Sequence, residues 1–156
     1  MKLNHDYVRS ILLFIEQNLD YENADSPTPS IHKEITDGKL ICDSYFDKYD
    51  KQELSYALEK LLEAGFITCA DKPVVRNGNL YLARITGLTF GGHEFLDNIR
   101  NDTVWGAVKE LSKKIGGGSI KALASAGGML MNAMMTDPNA FQNFVEGTKN
   151  IFQIIH

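Results

Sequence analysis

The sequence predicts a mainly α-helical chain with a small antiparallel β-hairpin and a helical extension at its C-terminal end. Three observations predict it. Between Asp50 and Arg100 a capped amphipathic helix runs into a strand, a turn, a second strand and another helix. Within that stretch Asn77-Gly78 suits a type I′ hairpin turn, which needs positive φ at both central positions. After Arg100, three more segments keep helical spacing with short breaks between them. The helix–strand–turn–strand–helix order is the second half of a winged helix. Residues 1–100 are therefore expected to form a winged-helix-like domain, and residues 101–156 a helical extension.

The central helix is expected from Lys51 to Ala64. Asp50 followed by Glu53 is a capping arrangement in which the Asp50 carboxylate accepts first-turn amide protons. Leu54, Leu58, Leu61 and Leu62 make one apolar stripe on a 3.6-residue period. Burying each contributes about 1.5–3 kcal/mol, more than helix propensity supplies. Gly65 can take the left-handed conformation that closes a helix, and Phe66 to Cys69 continues as a strand. Arg76-Asn77-Gly78-Asn79 turns, Leu80 to Ile85 returns, and Thr89 starts the next helix.

Upstream, Asp6 to Leu19 reads as a helix with Val8, Ile11, Leu12, Ile15 and Leu19 on one face, and Asn4 as its N-cap. Ser26-Pro27-Thr28-Pro29-Ser30 reads as an extended loop. Ile31 to Ile35 and Leu40 to Cys42 flank Asp37-Gly38 and read as a small extra hairpin; a short helix from Ile31 to Thr36 competes. Tyr45, Phe46 and Tyr49 are expected to pack over the central helix.

Downstream, Asp102 is expected to cap a helix from Thr103 to Ile115, with Val104, Val108 and Leu111 inward and Trp105 beside them. Gly116-Gly117-Gly118 is a flexible break. Ser119 to Met135 is an Ala-, Gly- and Met-rich helix, and Ala140 to Ile155 a last amphipathic one carrying Phe141, Phe144, Val145, Phe152 and Ile155.

Composition bounds the role. With 156 residues, 44% hydrophobic and 23% charged, the chain can bury a real core. Its net charge of −4 supplies no global basic field for nucleic acid or an anionic membrane. Cys42 and Cys69 sit singly, without metal-ligand spacing, and are expected to be buried reduced thiols in a cytoplasmic protein. Ser119 to Met135 is shorter than the ~20 apolar residues a membrane span needs, and it holds Lys121 and Asn132.

Candidate chemistry is sparse. His93-Glu94-Phe95-Leu96-Asp97 approaches the H-E-x-x-H zinc signature but lacks the second His, and a pairing or capping role accounts for His93 and Asp97. Gly116-Gly117-Gly118-Ser119 precedes a helix, yet Lys121 is misplaced for a phosphate-binding loop, so a hinge is the better reading. No nucleophile–base arrangement stands out. No cofactor, metal or small-molecule substrate is expected, and the chain is read as non-enzymatic.

The residues from Glu53 to Tyr56 and Leu61 to Ile67 resemble the recognition helix and following strand of many winged-helix regulators. The run Leu88-Thr89-Phe90-Gly91-Gly92-His93-Glu94-Phe95-Leu96-Asp97-Asn98-Ile99-Arg100-Asn101-Asp102-Thr103-Val104-Trp105 is very similar to a narrower family, domain of unknown function 2513, found in bacteria and their prophages. The similarity extends from Leu3 to about Ala126; Tyr21 to Asp47 is longer than is usual in that family. The resemblance implies a winged-helix-like fold and a bacterial or phage setting, and no activity.

Two binding roles follow. DNA would be met by Gln52, Ser55, Tyr56 and Lys60 on the central helix and by Lys72 and Arg76 in the wing. Against it, Asp50, Glu53, Glu59 and Glu63 outnumber Lys51 and Lys60, so that helix carries a net −2. The favoured expectation is a protein-interaction module that binds a protein partner or itself. Its candidate surface is the acidic face together with Met129, Met131, Met134 and Met135, since Met-rich surfaces adapt to partners. Packing of that segment against the last helix competes with partner binding.

Overall fold

The computed structural model describes residues 1–19, 33–114 and 118–155, with side chains described as far as residue 147. It is mainly helical with small antiparallel sheets, and it divides into two compact units, Met1–His93 and Glu94–His156. The proline-rich loop expected at 26–30 and most of the glycine break lie outside the described residues.

In the first unit, α1 (His5–Asn18) buries Val8, Ile11, Leu12, Phe14 and Ile15. Asn4 occupies the N-cap position without capping; its amide donates instead to Glu53 at 3.0 Å. The hairpin expected around Asp37-Gly38 does not form. Ile35–Thr36 is a two-residue strand, β1, and Asp37–Ile41 is a short helix, α2. Two interactions decide this: Thr36 Oγ1 accepts from the Lys39 amide, and the Asp37 carboxylate accepts from the distant Ala83 amide at 2.9 Å. An Asp held across the fold as an acceptor at a helix start cannot also serve a hairpin turn.

A 3₁₀ turn, Ser44–Phe46, follows. Its aromatics pack on α1: Phe46 is fully buried, 5.0 Å from the Phe14 ring and 5.3 Å from Tyr49. Tyr49 also meets Tyr7 edge-on and shares a 2.7 Å hydrogen bond with Ser10. The Tyr7 hydroxyl then accepts from the Asp50 amide, pinning α1 to the start of α3 (Lys51–Glu63). Asp50 caps α3 as expected, accepting from the Gln52 and Glu53 amides. Leu54, Ala57, Leu58 and Leu61 are buried, and Leu62 is half-buried.

Gly65, at φ +76°, closes α3: the Gly65 and Phe66 amides donate to the Leu62 and Leu61 carbonyls, a Schellman motif. The expected single hairpin is in fact two paired segments. β2 (Ile67–Cys69) pairs with β5 (Arg84–Leu88), which is central in a three-stranded sheet of order β1-β5-β2. Between them β3 (Val74–Arg76) and β4 (Asn79–Leu82) form a separate ribbon. Its turn has Asn77 at φ 52° and Gly78 at φ 78°, both positive as a type I′ turn requires. Register shifts at Thr68/Cys69 and Val74/Val75 accompany the change of pairing.

Thr89 starts α4 (Phe90–Ile99): its hydroxyl accepts from the Gly92 amide and donates to the Gly65 carbonyl. Cys42 is exposed rather than buried, because it follows the last turn of the short α2. Cys69 is half-buried, and burial, then the Asp37 charge, raises its thiol pKa.

In the second unit, Phe95, Leu96 and Ile99 of α4 are buried. Asn101, rather than Asp102, caps α5 (Asp102–Lys114), accepting from the Thr103 and Val104 amides. Val104, Trp105 and Val108 are buried and Leu111 is half-buried. α6 (Ile120–Thr136), capped by Ser119, packs on α5 and on α7 (Pro138–Ile155). A Cβ at Gly127 would lie 2.9 Å from Ile99 Cγ2, so α6 approaches α4 at its Gly127-Gly128 pair. Phe141 and Val145 are buried and Phe144 is half-buried; Phe152 and Ile155 have side chains outside the described set.

Helical glycines divide sharply by surroundings. A Cβ at Gly92 would lie 2.1 Å from the Phe66 carbonyl oxygen, whereas one at Gly106 would meet nothing within 4 Å. Gly106→Ala is expected to raise stability by about 0.5–1 kcal/mol through helix propensity. Gly92→Ala is expected to lower it by about 2–3 kcal/mol, the clash outweighing that gain. Urea denaturation of both variants checks the opposite signs.

Candidate interaction surface

α3 turns its polar face outward beside β4, and the two enclose an open groove of about 510 Å³. Lys51, Gln52, Ser55, Tyr56 and Glu59 form the α3 wall, and Asn79 and Leu80 from β4, Met1 and Ile41 complete the lining. Three expected contact residues, Gln52, Ser55 and Tyr56, are thus brought together. They are successive outward positions of one amphipathic helix, which is why the sequence period located them.

The expected cations behave differently from one another. Lys60 donates to both Glu63 carboxylate oxygens at 2.8 Å, lies 3.5 Å from Glu59 and sits 5.2 Å from the Tyr56 ring. The Glu63 hydrogen bond holds its pKa above the ordinary lysine value. Lys51 donates to the Ile41 and Phe46 carbonyls, closing the two short turns before α3. Neither ammonium group is presented to a partner. Lys72 is exposed, and the Arg76 guanidinium stacks 3.9 Å from the Tyr81 ring; neither has a carboxylate partner among the described residues.

The ribbon carries a feature that the sequence reading missed. Val74, Val75, Tyr81 and Leu82 are 42%, 59%, 57% and 42% exposed. A two-stranded ribbon is marginal alone, and side chains of this type normally cover a core. The available signal was Val74-Val75 between Pro73 and Arg76, a β-branched pair one turn away from Leu80-Tyr81-Leu82. Tyr and Arg side by side on an apolar patch are also the residue types that dominate protein interfaces.

The methionines do not form one surface. Met129 and Met135 are 74% and 75% exposed, whereas Met131 and Met134 are half-buried. Met131 and Met135 stand at i, i+4 on α6, while Met129 lies on another side of the helix. The partial zinc signature also separates: His93 lies 3.9 Å from Glu16, and Asp97 accepts from Arg100.

The segment that carries the family resemblance is therefore accounted for by structure. Gly92 admits the Phe66 carbonyl, Phe95 and Leu96 are core, and Val104 and Trp105 are core in α5. Residues 2–119 match the model of the family described as hypothetical protein (DUF2513), and the chain belongs to that family. It is similar to a protein of Haemophilus influenzae (strain ATCC 51907 / DSM 11121 / KW20 / Rd) named "Uncharacterized protein", 36% identical over 113 residues, covering 72% of this chain and 80% of that one. No solved structure matches the chain. Among the described residues, no helix is long and apolar enough to cross a membrane.

The state of Lys60 has a measurable sign. Its folded pKa is raised, so its pair with Glu63 contributes below the ordinary lysine pKa and is lost as pH rises through the folded value. The pair is at the surface, so Lys60→Gln is expected to cost at most about 0.5 kcal/mol near neutral pH. The difference should shrink towards zero above lysine titration in paired denaturation curves.

Proposed function

We propose that the protein is a non-enzymatic binding module of bacterial or prophage origin that engages a protein through the β3–β4 ribbon and the α3 groove. The exposed apolar ribbon carries the reading. Val74, Val75 and Leu82, with a stacked Arg76–Tyr81 pair, project from a hairpin that has little core of its own. The acidic helix and the engaged states of Lys51 and Lys60 agree with a protein partner rather than a polyanion. The scaffold is read as winged-helix-like. The order α1-β1-α2-α3-β2, a ribbon and then a central β5 supports that reading, with the ribbon as the wing.

DNA binding is the second reading, favoured by one specific observation. Gln52, Ser55 and Tyr56 share a groove beside the ribbon, and Arg76 in β3 and Lys72 just before it lack carboxylate partners among the described residues. A titration of random duplex DNA followed by anisotropy, from low to near-physiological salt, separates the readings. The protein-binding reading expects no salt-steepened affinity. Binding whose log–log salt slope falls by about 1 in Arg76→Gln would establish phosphate contact instead.

The protein-binding reading is tested by placing a photoreactive benzoylphenylalanine at Tyr81 in the full chain and irradiating expressing cells. Protein adducts are expected. They should be lost when Val75→Lys and Leu82→Lys are added, with the melting temperature nearly unchanged because both side chains are exposed. Absence of any protein adduct would sink the reading.

A further inference from the structure

β4 and β5 are one run of chain from Asn79 to Leu88, interrupted at Ala83. Before Ala83 the run pairs with β3, and after it with β1 and β2. Ala83 is therefore where the strand changes partners. It is 1% exposed, so its backbone groups have little access to water, and one residue takes both of them. The Ala83 amide donates to the Asp37 carboxylate at 2.9 Å, and the Asp37 amide donates to the Ala83 carbonyl at 3.0 Å.

The next residue grips the other link. Arg84 Nη2 donates to Asp71, which lies in the connection 70–73 leading into β3. Its Nη1 donates to Glu34, just before β1, at 3.4 Å. Asp37 and Arg84 thus hold both links through which the ribbon joins the fold. Beyond this base β3 and β4 pack chiefly on one another, and every residue of the two strands except Leu80 is exposed. The direction in which the ribbon stands is decided at its base.

We propose that Asp37 and Arg84 form a two-point clamp that sets the angle of the ribbon against α3, and with it the width of the groove that β4 and α3 enclose. The two points differ in kind. Asp37 makes a charge-assisted hydrogen bond to the amide of a buried residue, and salt does not displace it. Arg84 forks between two carboxylates with all three side chains exposed, where dissolved ions screen the attraction. Raised ionic strength therefore loosens the ribbon at one point while the other keeps it attached. The clamp follows from the geometry of the ribbon base and stands whichever partner the ribbon meets.

Pulsed electron paramagnetic resonance reads the ribbon angle as a distance distribution. Nitroxides are placed on Val75→Cys and Gln17→Cys in the full chain carrying Cys42→Ser and Cys69→Ser. Both labelled positions are exposed, and α1 belongs to the same unit as the ribbon. One narrow distribution is expected at low salt. Asp37→Ala and Arg84→Gln should each widen it about twofold or more, as a freed hinge does. Asp37→Asn keeps the acceptor oxygen and should leave it narrow. At about 1 M salt, where the Debye length is about 3 Å, the parent should widen to the Arg84→Gln width, and Arg84→Gln should widen no further. The melting temperature of Arg84→Gln is expected to stay nearly that of the parent, because exposed ion pairs contribute little, so its widening reports position rather than stability.

A parent distribution that is already broad at low salt overturns the proposal. So does an Arg84→Gln distribution as narrow as the parent's, or an Asp37→Asn distribution as wide as that of Asp37→Ala. Far-UV circular dichroism shows which variants fold; if Asp37→Ala does not, Arg84→Gln and the salt series decide. None of these outcomes depends on the Tyr81 photo-adduct, so failure of the clamp and failure of the protein-binding reading are separate results.

Discussion

The carbonyl of Phe66 is the point on which the first unit is built. It accepts the Thr89 amide at 3.1 Å, and the Gly92 backbone packs so closely on it that no Cβ fits between. One residue earlier, the Gly65 carbonyl accepts the Thr89 hydroxyl, while Gly65 itself ends α3 in the left-handed conformation. The end of α3, the start of β2, the end of β5 and the start of α4 are therefore fixed at one junction. Each element begins or ends there because its unpaired terminal groups find partners in the others. The direction of α3 relative to β5 follows from this junction, and with it the wall against which the ribbon stands. Two glycines with different roles make it possible, one for its dihedral angle and the other for its missing side chain.

What was legible in the sequence was local. Asp50 with Glu53, Gly65 after a leucine stripe, and Asn77-Gly78 each declare a cap, a stop or a turn through residues within four positions of one another, and each stands where it was expected. What was illegible depended on partners far along the chain. Asp37-Gly38 is a hairpin signal until the Asp37 carboxylate is seen holding the Ala83 amide, and Asn4 is an N-cap until Glu53 takes its amide. The division of one hairpin into a β2–β5 pair and a separate ribbon is accompanied by a register shift in each pair, an irregularity that strand alternation in the sequence does not reveal. The groove followed the same rule. Gln52, Ser55 and Tyr56 were legible through helix period, whereas the engagement of Lys60 by Glu63 and the exposure of Tyr81 needed three-dimensional neighbours.

The cations show why net charge alone weighs binding roles poorly. Lys51 caps carbonyls, Lys60 neutralises Glu63, and Arg84 joins Glu34 and Asp71 across the strand ends. Lys60 and Arg84 add little external field, because a charge paired at close range with a carboxylate is largely cancelled a few ångströms away. Arg76, in β3, and Lys72, just before it, differ in having no carboxylate partner among the described residues. A chain of net −4 can thus present a small basic apolar element while its main helix stays acidic. Local pairing, rather than the overall total, decides which cations are left without a carboxylate among the described residues.

Exposed strands are also an aggregation hazard, and the form of this ribbon limits that hazard. β3 and β4 span three and four residues, Pro73 precedes β3, and the register shift at Val74/Val75 twists the pair. Short length, proline and bulges are the devices by which open edges avoid indefinite pairing. An edge protected in this way can keep its side chains apolar without recruiting further strands. Val75, Tyr81 and Leu82 can then remain exposed without extending the ribbon into a larger sheet. Loss of the register shift or the proline would leave the same side chains open to nonspecific strand addition, so the backbone of the ribbon, as much as its side chains, keeps the edge closed.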